Sequence, residues 1–148
     1  MQAACRVSVR RLQQFCPASL QLIAVKAVFD NLATRHPMYT KSFHTDSLEW
    51  VPSGIDNVDY KVLDGELATT ASVVVYKFGP GSVVQAHSHT HADEWAYVLD
   101  GDFIENGITY KTGSMFTAPA GTVHGEHKTK NGCTIMFVLS KGLDFVPA

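Results

Sequence analysis

The feature that most constrains the fold is a series of short β-prone segments, which begins near Ser47 and runs to the end of the chain. These segments are rich in β-branched and aromatic residues, and most of them end at Gly, Pro, Asn or Asp. The sequence predicts strands at 48–51, 60–63, 71–78, 83–89, 94–99, 102–105, 108–111, 114–118, 124–129 and 133–140. Three dipeptides, at 100–101, 106–107 and 131–132, are predicted hairpin turns. Many short strands with this turn chemistry predict an antiparallel sandwich or barrel, so the fold class is all-β.

The chain divides into an N-terminal extension, residues 1–45, and a β-barrel domain, residues 46–148. Apolar residues within 20–28 fall at helical spacing, and Ser19 could cap such a helix. Residues 1–37 carry a net charge of +4 and a single acidic residue. Three interpretations of this extension stay open: a mitochondrial transit peptide, a helix packed on the barrel, or sequence upstream of a true start at Met38. We expect a cytoplasmic protein, or a mitochondrial one if the first interpretation holds.

Composition limits the partners. The 148 residues suffice for one domain with a buried core, and no apolar run approaches the ~18 residues of a membrane span. Residues 38–148 carry a net charge of −6, which argues against nucleic acid as a partner. The three cysteines, Cys5, Cys16 and Cys133, form neither a disulfide framework nor a thiolate zinc motif, and this favours a reducing compartment. We expect Cys133 to be a small core residue.

Four residues form a candidate metal site. His87 and His89 alternate along one predicted strand and therefore share a face. A reversal through residues 90–93 would return Glu94 beside them, and the turn at Pro119-x-Gly121 would deliver His124 from another strand. Three imidazoles and one carboxylate suit one divalent transition metal, such as Fe, Mn, Zn, Ni or Cu, with positions left open for water or substrate.

Two neighbours compete for places in this site. His91 has the same strand parity as His87 and His89, but we expect it to lie in the turn, exposed to solvent. Asp93 could replace Glu94 as the carboxylate ligand. We favour Glu94 because it begins an apolar strand, and a ligand on a rigid element is held in a better-defined orientation.

Two further residues are candidates for catalysis. Gln85 shares the parity of His87 and should face the interior, either as a substrate hydrogen-bond donor or as a satisfied buried amide. Glu126 and Lys128 share the parity of His124. They could form an inward charged pair that moves protons, although an exposed pair at the barrel mouth costs less desolvation. His127 has the opposite parity and is predicted to lie at the surface. Met115 and Phe116 are predicted to be core residues.

Two spaced motifs carry a resemblance to the cupin superfamily, whose fold is the RmlC-like jelly roll. The first is Gly81, five residues, His87-x-His89, four residues, Glu94, six residues and Gly101. The second is Gly113, five residues, Pro119-x-Gly121, two residues and His124, with Lys128 where the family usually has Asn. About 90 residues resemble the cupin domain of ChrR-type anti-sigma factors and related small dioxygenases. The zinc-binding element that precedes that domain in such anti-sigma factors has no counterpart in residues 1–45.

The resemblance implies a single cupin-type double-stranded β-helix with a mononuclear metal site, and a homodimer. It leaves the reaction open among three hypotheses. The first is a metal-dependent dioxygenase acting on a small organic molecule, and the second is a non-redox decarboxylase, isomerase or lyase with Glu126 as acid or base. The third is a metal-containing ligand-binding or sensor protein without turnover.

Overall fold

A computed structural model describes residues 39–148 of the chain. The three interpretations of residues 1–37 lie outside this range. Residues 44–148 form one compact unit. Within the described range, no helix is long and apolar enough to cross a membrane.

Eleven strands and one 3-10 turn, Thr45–Ser47, make up the described unit. The strands, numbered in chain order, are β1 Val51–Pro52, β2 Val58–Asp64, β3 Ser72–Phe78, β4 Val83–Val84, β5 His87–Ser88, β6 Glu94–Glu105, β7 Ile108–Lys111, β8 Met115–Ala118, β9 His127–Lys128, β10 Cys133–Leu139 and β11 Val146–Pro147. The all-β fold class is therefore confirmed. The predicted first strand is displaced, since residues 48–50, which follow the 3-10 turn, form no strand and β1 begins only at Val51.

Nine strands form one antiparallel sheet in the order β1-β2-β3-β10-β6-β9-β4, with β7 and β8 also pairing along β6. Strands β5 and β11 form a separate two-stranded ladder. The longest pairings join β10 to β3 and to β6, so β10 is a central strand with neighbours on both edges. Its inward residues, Ile135, Phe137 and Leu139, are at most 6% exposed and lie in a core with Val74, Val98 and Phe103.

Strand β6 is continuous where the sequence predicted a hairpin at Asp100-Gly101. The strand passes through this dipeptide as a bulge: Asp100 pairs with Thr134 and Val98 with Ile135, which leaves Leu99 as the extra residue. Gly101 supports the bulge with φ of +82°, a backbone conformation that favours glycine. The extra residue reverses the inward parity, from Glu94, Ala96 and Val98 before it to Phe103 and Glu105 after it.

Two other predicted strands are interrupted. The segment 83–89 divides into β4 and β5, and within 124–129 only His127 and Lys128 form a strand. His124 makes an isolated bridge to His87, and Gly125 follows it with φ of +83°. The regular alternation of inward and outward side chains, which a continuous strand would show, is therefore lost in both segments.

Of the other two predicted hairpin turns, one is confirmed and one is wrong. Asn106-Gly107 joins β6 to β7 with positive φ at both residues, as a type I′ hairpin requires. Asn131-Gly132 joins β9 to β10, which do not pair with each other, so this hairpin prediction is wrong. Met115 was predicted in the core, but it is 62% exposed because it lies on the outer face at the first residue of β8.

Candidate metal centre

Four predicted ligands lie together at one end of the barrel. His87, His89, Glu94 and His124 have 4%, 4%, 6% and 8% of their surface exposed, respectively. The backbones of His87 and His124 exchange two hydrogen bonds, with N···O distances of 2.9 and 2.8 Å. This bridge holds the two motif segments side by side, and their imidazole centroids are 4.6 Å apart. Ligand nitrogens of His87, His89 and His124 lie within 4.8 Å of one another.

Glu94 completes the group from the first residue of β6. Its Oε2 lies 3.2 Å from His89 Nε2, and its Oε1 lies 4.0 Å from His124 Nδ1. The reversal through residues 90–93 thus returns the chain as expected from the spacing. The predicted site residues therefore lie near one another, and the Glu94 carboxylate faces two of the three imidazoles, those of His89 and His124.

Backbone carbonyls orient two of the imidazoles. His87 Nδ1 lies 2.8 Å from the Gln85 carbonyl oxygen, and His89 Nδ1 lies 2.5 Å from the Asp144 carbonyl oxygen. When each Nδ1–H donates to its carbonyl, the Nε2 atom is left to present a lone pair to an ion. Asp144 is itself held by the Thr90 backbone N–H, which donates to its carboxylate at 2.9 Å.

Burial and nearby charges shift the pKa values of the three histidines in different directions. Burial lowers the pKa of His87 to about 4, and it also lowers the pKa of His124. Burial opposes protonation of His89 as well, but its hydrogen bonds to the Glu94 carboxylate and the Asp144 carbonyl outweigh burial and raise its pKa. His87 and His124 are therefore held in the neutral form that binds metal ions.

The residues present fit a divalent ion. His89 Nε2 and His124 Nδ1 lie 3.2 and 4.0 Å from the Glu94 carboxylate oxygens, so ring nitrogens and a carboxylate face one another here. A donor set of three imidazoles and one carboxylate suits Fe, Mn, Zn, Ni or Cu.

A cavity of about 70 Å³ adjoins the centre. His87, His89 and Glu94 contribute to its wall, and His127 and Tyr76 are its other polar side chains. The remaining lining is aliphatic or aromatic: Ile55, Val58, Phe78, Val84, Phe137, Leu139, Leu143 and Phe145. Phe145 stacks on the His87 ring at a centroid distance of 4.1 Å, so the segment after β10 forms one wall of the site.

The two competing residues lie outside the group. His91 is exposed in the turn, in agreement with its predicted place. Asp93 uses its carboxylate elsewhere, since its Oδ1 accepts a hydrogen bond from the Ala120 backbone N–H at 3.0 Å. Glu94 is thus the carboxylate that faces the imidazoles.

Neither candidate catalytic residue lines the cavity. Gln85 is exposed, and the expectation that it faces the interior is wrong because the strand breaks between β4 and β5. Only its backbone carbonyl contacts the site, at His87. Glu126 forms an ion pair with Lys128, and the two side chains are 40% and 47% exposed. This is the exposed pair at the barrel mouth, one of the two arrangements that the sequence left open.

Sequence reasoning missed three residues. His127 was predicted at the surface but is 4% exposed, because the positive φ of Gly125 turns the chain and places His124 and His127, three residues apart, on the same side. Glu105 faces inward because of the β6 bulge, and its Oε1 accepts a hydrogen bond from the Gly125 N–H at 2.7 Å. His127 beside it lowers the pKa of Glu105. The glycines at 101 and 125 are the signals that could have revealed both residues. Tyr76, whose pKa burial raises to about 12, is the third.

Solved structures resemble the chain in fold, each below 25% identity. KdgF from Halomonas sp. is 24% identical with a TM-score of 0.56, covering 73% of this chain and 95% of its own. The polyketide cyclase RemF from Streptomyces resistomycificus is 15% identical, with a TM-score of 0.60 and coverage of 74% and 86%. A candidate acetylacetone dioxygenase from Methylibium petroleiphilum PM1 is 13% identical, with a TM-score of 0.58 and coverage of 77% and 92%. No curated protein matches the sequence.

The family assignment rests on the domain as a whole. Residues 39–141 match the family described as the ChrR Cupin-like domain, and this span contains both histidine motifs and all four residues of the candidate metal centre. The match covers more than half of the chain, and the described fold is the all-β architecture that the two motifs implied. The chain is therefore a small cupin and belongs to the ChrR Cupin-like domain family.

Proposed function

We propose that this cupin is a metal-dependent enzyme acting on a small, largely apolar organic molecule, and that the reaction is an oxygenation of the dioxygenase type. The observation that carries the proposal is the cluster of four buried side chains, His87, His89, Glu94 and His124, of which the first three line a largely apolar cavity. A bound redox-active ion such as Fe would supply a position for O₂ beside the substrate. His87, His89, Glu94 and His124 would hold that ion.

The cavity wall indicates the class of substrate. Among the described residues, no lysine or arginine lines the cavity, so a strongly anionic substrate would find no cationic side chain there. Tyr76 is a neutral hydroxyl donor at physiological pH, since its pKa is raised to about 12. We infer that the substrate is neutral or weakly acidic and carries oxygen donors on an apolar body, as small dicarbonyl and phenolic compounds do.

The protein's own contribution is binding, orientation and exclusion of water. Phe137, Leu139 and Leu143 would contact the apolar body, and Tyr76 would hydrogen-bond to a substrate oxygen. Phe145 would shield the His87 side of the centre from solvent, although it is 47% exposed on its outer face. A site with few water molecules strengthens every polar interaction made inside it.

Non-redox chemistry is the second candidate. The resemblance in fold to a polyketide cyclase keeps carbon–carbon bond chemistry or isomerisation open, with an ion such as Zn or Mn polarising a substrate oxygen. Glu126 is a poor acid or base for that reaction because it is paired with Lys128 outside the cavity. A binding or sensing role without turnover is the third candidate.

Metal content and oxygen uptake test the proposal. Protein purified without chelator or nickel affinity should carry Fe, Mn or Cu and consume O₂ with dicarbonyl or phenolic substrates. His89→Ala should lose the ion from this centre and all activity, because it removes a buried ligand. His91→Ala, the matched control, removes an exposed imidazole two residues away and should change neither. Tightly held zinc with no oxygen uptake would favour the non-redox or sensing role, and full metal retention in His89→Ala would contradict the centre itself.

A further inference from the structure

We propose that the barrel has a second position for a divalent ion, formed by Glu105, His127 and His124, with His124 shared between this position and the first. One ligand atom from each of these three side chains lies within 4.8 Å of the other two. The proposed ligands are two imidazoles and one carboxylate, a set that leaves coordination positions open on a Zn, Co, Ni, Cu or Fe ion.

The distance between Glu105 and His127 suits two ligands of one ion. His127 Nε2 lies 3.6 Å from Glu105 Oε1. Metal bonds to imidazole nitrogen and carboxylate oxygen are each about 2.0–2.2 Å long, so two ligands on one ion are roughly 3 to 3.5 Å apart. At 3.6 Å the two atoms are slightly too far apart for a good hydrogen bond but close to the separation that a shared ion imposes.

Burial makes the Glu105 carboxylate dependent on near partners, which are the Gly125 N–H and His127. Glu105, His124 and His127 are 9%, 8% and 4% exposed. Phe103 packs against the His127 ring at a centroid distance of 4.9 Å, so the His127 side chain has an apolar neighbour. Lys128, the adjacent cation in sequence, pairs with Glu126. A divalent ion between Glu105 and His127 would supply the positive charge that a buried carboxylate needs.

His124 can serve both positions at once as an imidazolate. A neutral imidazole has one free lone pair, and release of its N–H proton to solvent as the two cations bind frees a lone pair on the second ring nitrogen. Its Nδ1 lies 4.0 Å from Glu94 Oε1, in the first centre, whereas its Nε2 is buried with no hydrogen-bond partner. The His124 and His127 ring centroids are 5.4 Å apart, and the His87 and His127 centroids are 5.2 Å apart. The four histidines thus form one continuous cluster with a carboxylate at each end, Glu94 and Glu105.

The second position uses structural elements of its own. Glu105 ends β6 beyond the bulge, and His127 begins β9 after the turn at Gly125. The Gly125 N–H donates to Glu105 Oε1 at 2.7 Å and so fixes the carboxylate against the His127 segment. Removing His89 and Glu94 from the first centre leaves these contacts in place.

The test is a titration of the chelator-stripped full-length protein with Co²⁺, followed by equilibrium dialysis and visible absorption. The wild type should bind two ions per chain, and Glu105→Gln should bind one. The double variant His89→Ala/Glu94→Gln should also bind one, and adding Glu105→Gln to it should remove that ion. Gln at position 105 can still accept the Gly125 N–H, which preserves the local backbone. Circular dichroism verifies that each variant is folded.

Glu126→Gln is the matched control, since it changes a half-exposed carboxylate one residue before His127 and should keep two ions. One ion per wild-type chain, or two ions in Glu105→Gln, would overturn the second position. Loss of an ion in Glu126→Gln would also overturn it, because the ion would then lie at the barrel mouth. If His89→Ala/Glu94→Gln binds as many ions as the wild type, the first centre is wrong while the second can stand.

Discussion

Cys133, at the start of β10, is 4% exposed and pairs across the sheet with Phe78 and Gly101. Burial raises the pKa of its thiol to about 12, with smaller contributions from Asp102 and Asp100. The thiolate is the reactive form of cysteine, so its population at pH 8 falls by about three orders of magnitude relative to a free cysteine. The residue contributes packing, as its place at the head of an apolar strand predicts.

We therefore expect Cys133 to react with a disulfide reagent at pH 8 at least ~1000-fold more slowly in the native protein than in the urea-unfolded chain. The measurement uses Cys5→Ser/Cys16→Ser protein, so that only Cys133 gives a signal. A native rate within tenfold of the unfolded rate would show that the thiol is accessible and ionisable, contrary to its place in the core.

At the scale of elements, the bulge in β6 decides which carboxylates reach the interior. Gly101 has φ of +82°, and a Cβ added there would lie 2.1 Å from the Gly132 carbonyl oxygen. Gly113 has a similar φ of +89°, but a Cβ there would meet nothing within 4 Å. Both glycines have a positive φ, which disfavours any residue with a Cβ, but only Gly101 lacks the space for one.

Replacing each glycine with alanine separates these two effects. Gly113→Ala should reduce the free energy of unfolding by about 1 kcal/mol, the cost of a left-handed backbone for a residue with a Cβ. Gly101→Ala should reduce it by about 3 kcal/mol or more, because the neighbouring strand must also move. Urea denaturation of the metal-free proteins measures both. Equal losses would mean that β6 and β10 separate at the bulge without cost.

The same elements show what sequence can and cannot predict in this fold. Alternation and turn residues predicted β3, β7 and β10 within a residue or two. Motif spacing predicted that His87, His89, Glu94 and His124 would lie close together, as they do. The alternation of inward and outward side chains failed where a strand was interrupted, at Gln85 and Gly125, and where β6 carries its bulge, at Asp100-Gly101. One extra residue in a strand, or one glycine with positive φ, moves the following side chains to the opposite face of the sheet. A prediction that assumes strict alternation along the strand cannot anticipate this change.

At the scale of the whole molecule, the histidine cluster makes stability depend on pH. Burial lowers the folded-state pKa of His87 to about 4 and also lowers that of His124. Below pH 6.5 the unfolded chain therefore binds more protons at both residues, and for His87 this window extends to about pH 4. Stability from both residues is therefore lost as pH falls through this window. His89 acts in the opposite direction: its raised pKa contributes stability below pH 6.5 that is lost as pH rises through the folded value.

Because His87 alone contributes roughly 2 kcal/mol, the metal-free protein should be less stable at pH 5 than at pH 7. Urea denaturation at the two pH values measures the difference. His87→Gln should reduce the loss by about that amount, while His91→Ala, which removes an exposed imidazole, should leave it unchanged. Equal stability of the wild type at pH 5 and 7 would contradict the buried, neutral state of His87.

The first metal centre requires that His87, His89, Glu94 and His124 bind one ion together, and an anomalous difference map tests this without reference to activity. Crystals are grown from protein purified without chelator, and data are collected at the absorption edge of the metal found by elemental analysis. We predict a peak bonded to three imidazole nitrogens and one Glu94 oxygen at about 2.0–2.2 Å. No peak between these four side chains, even after the crystals are soaked in Fe²⁺ or Zn²⁺, would contradict the assignment of the centre.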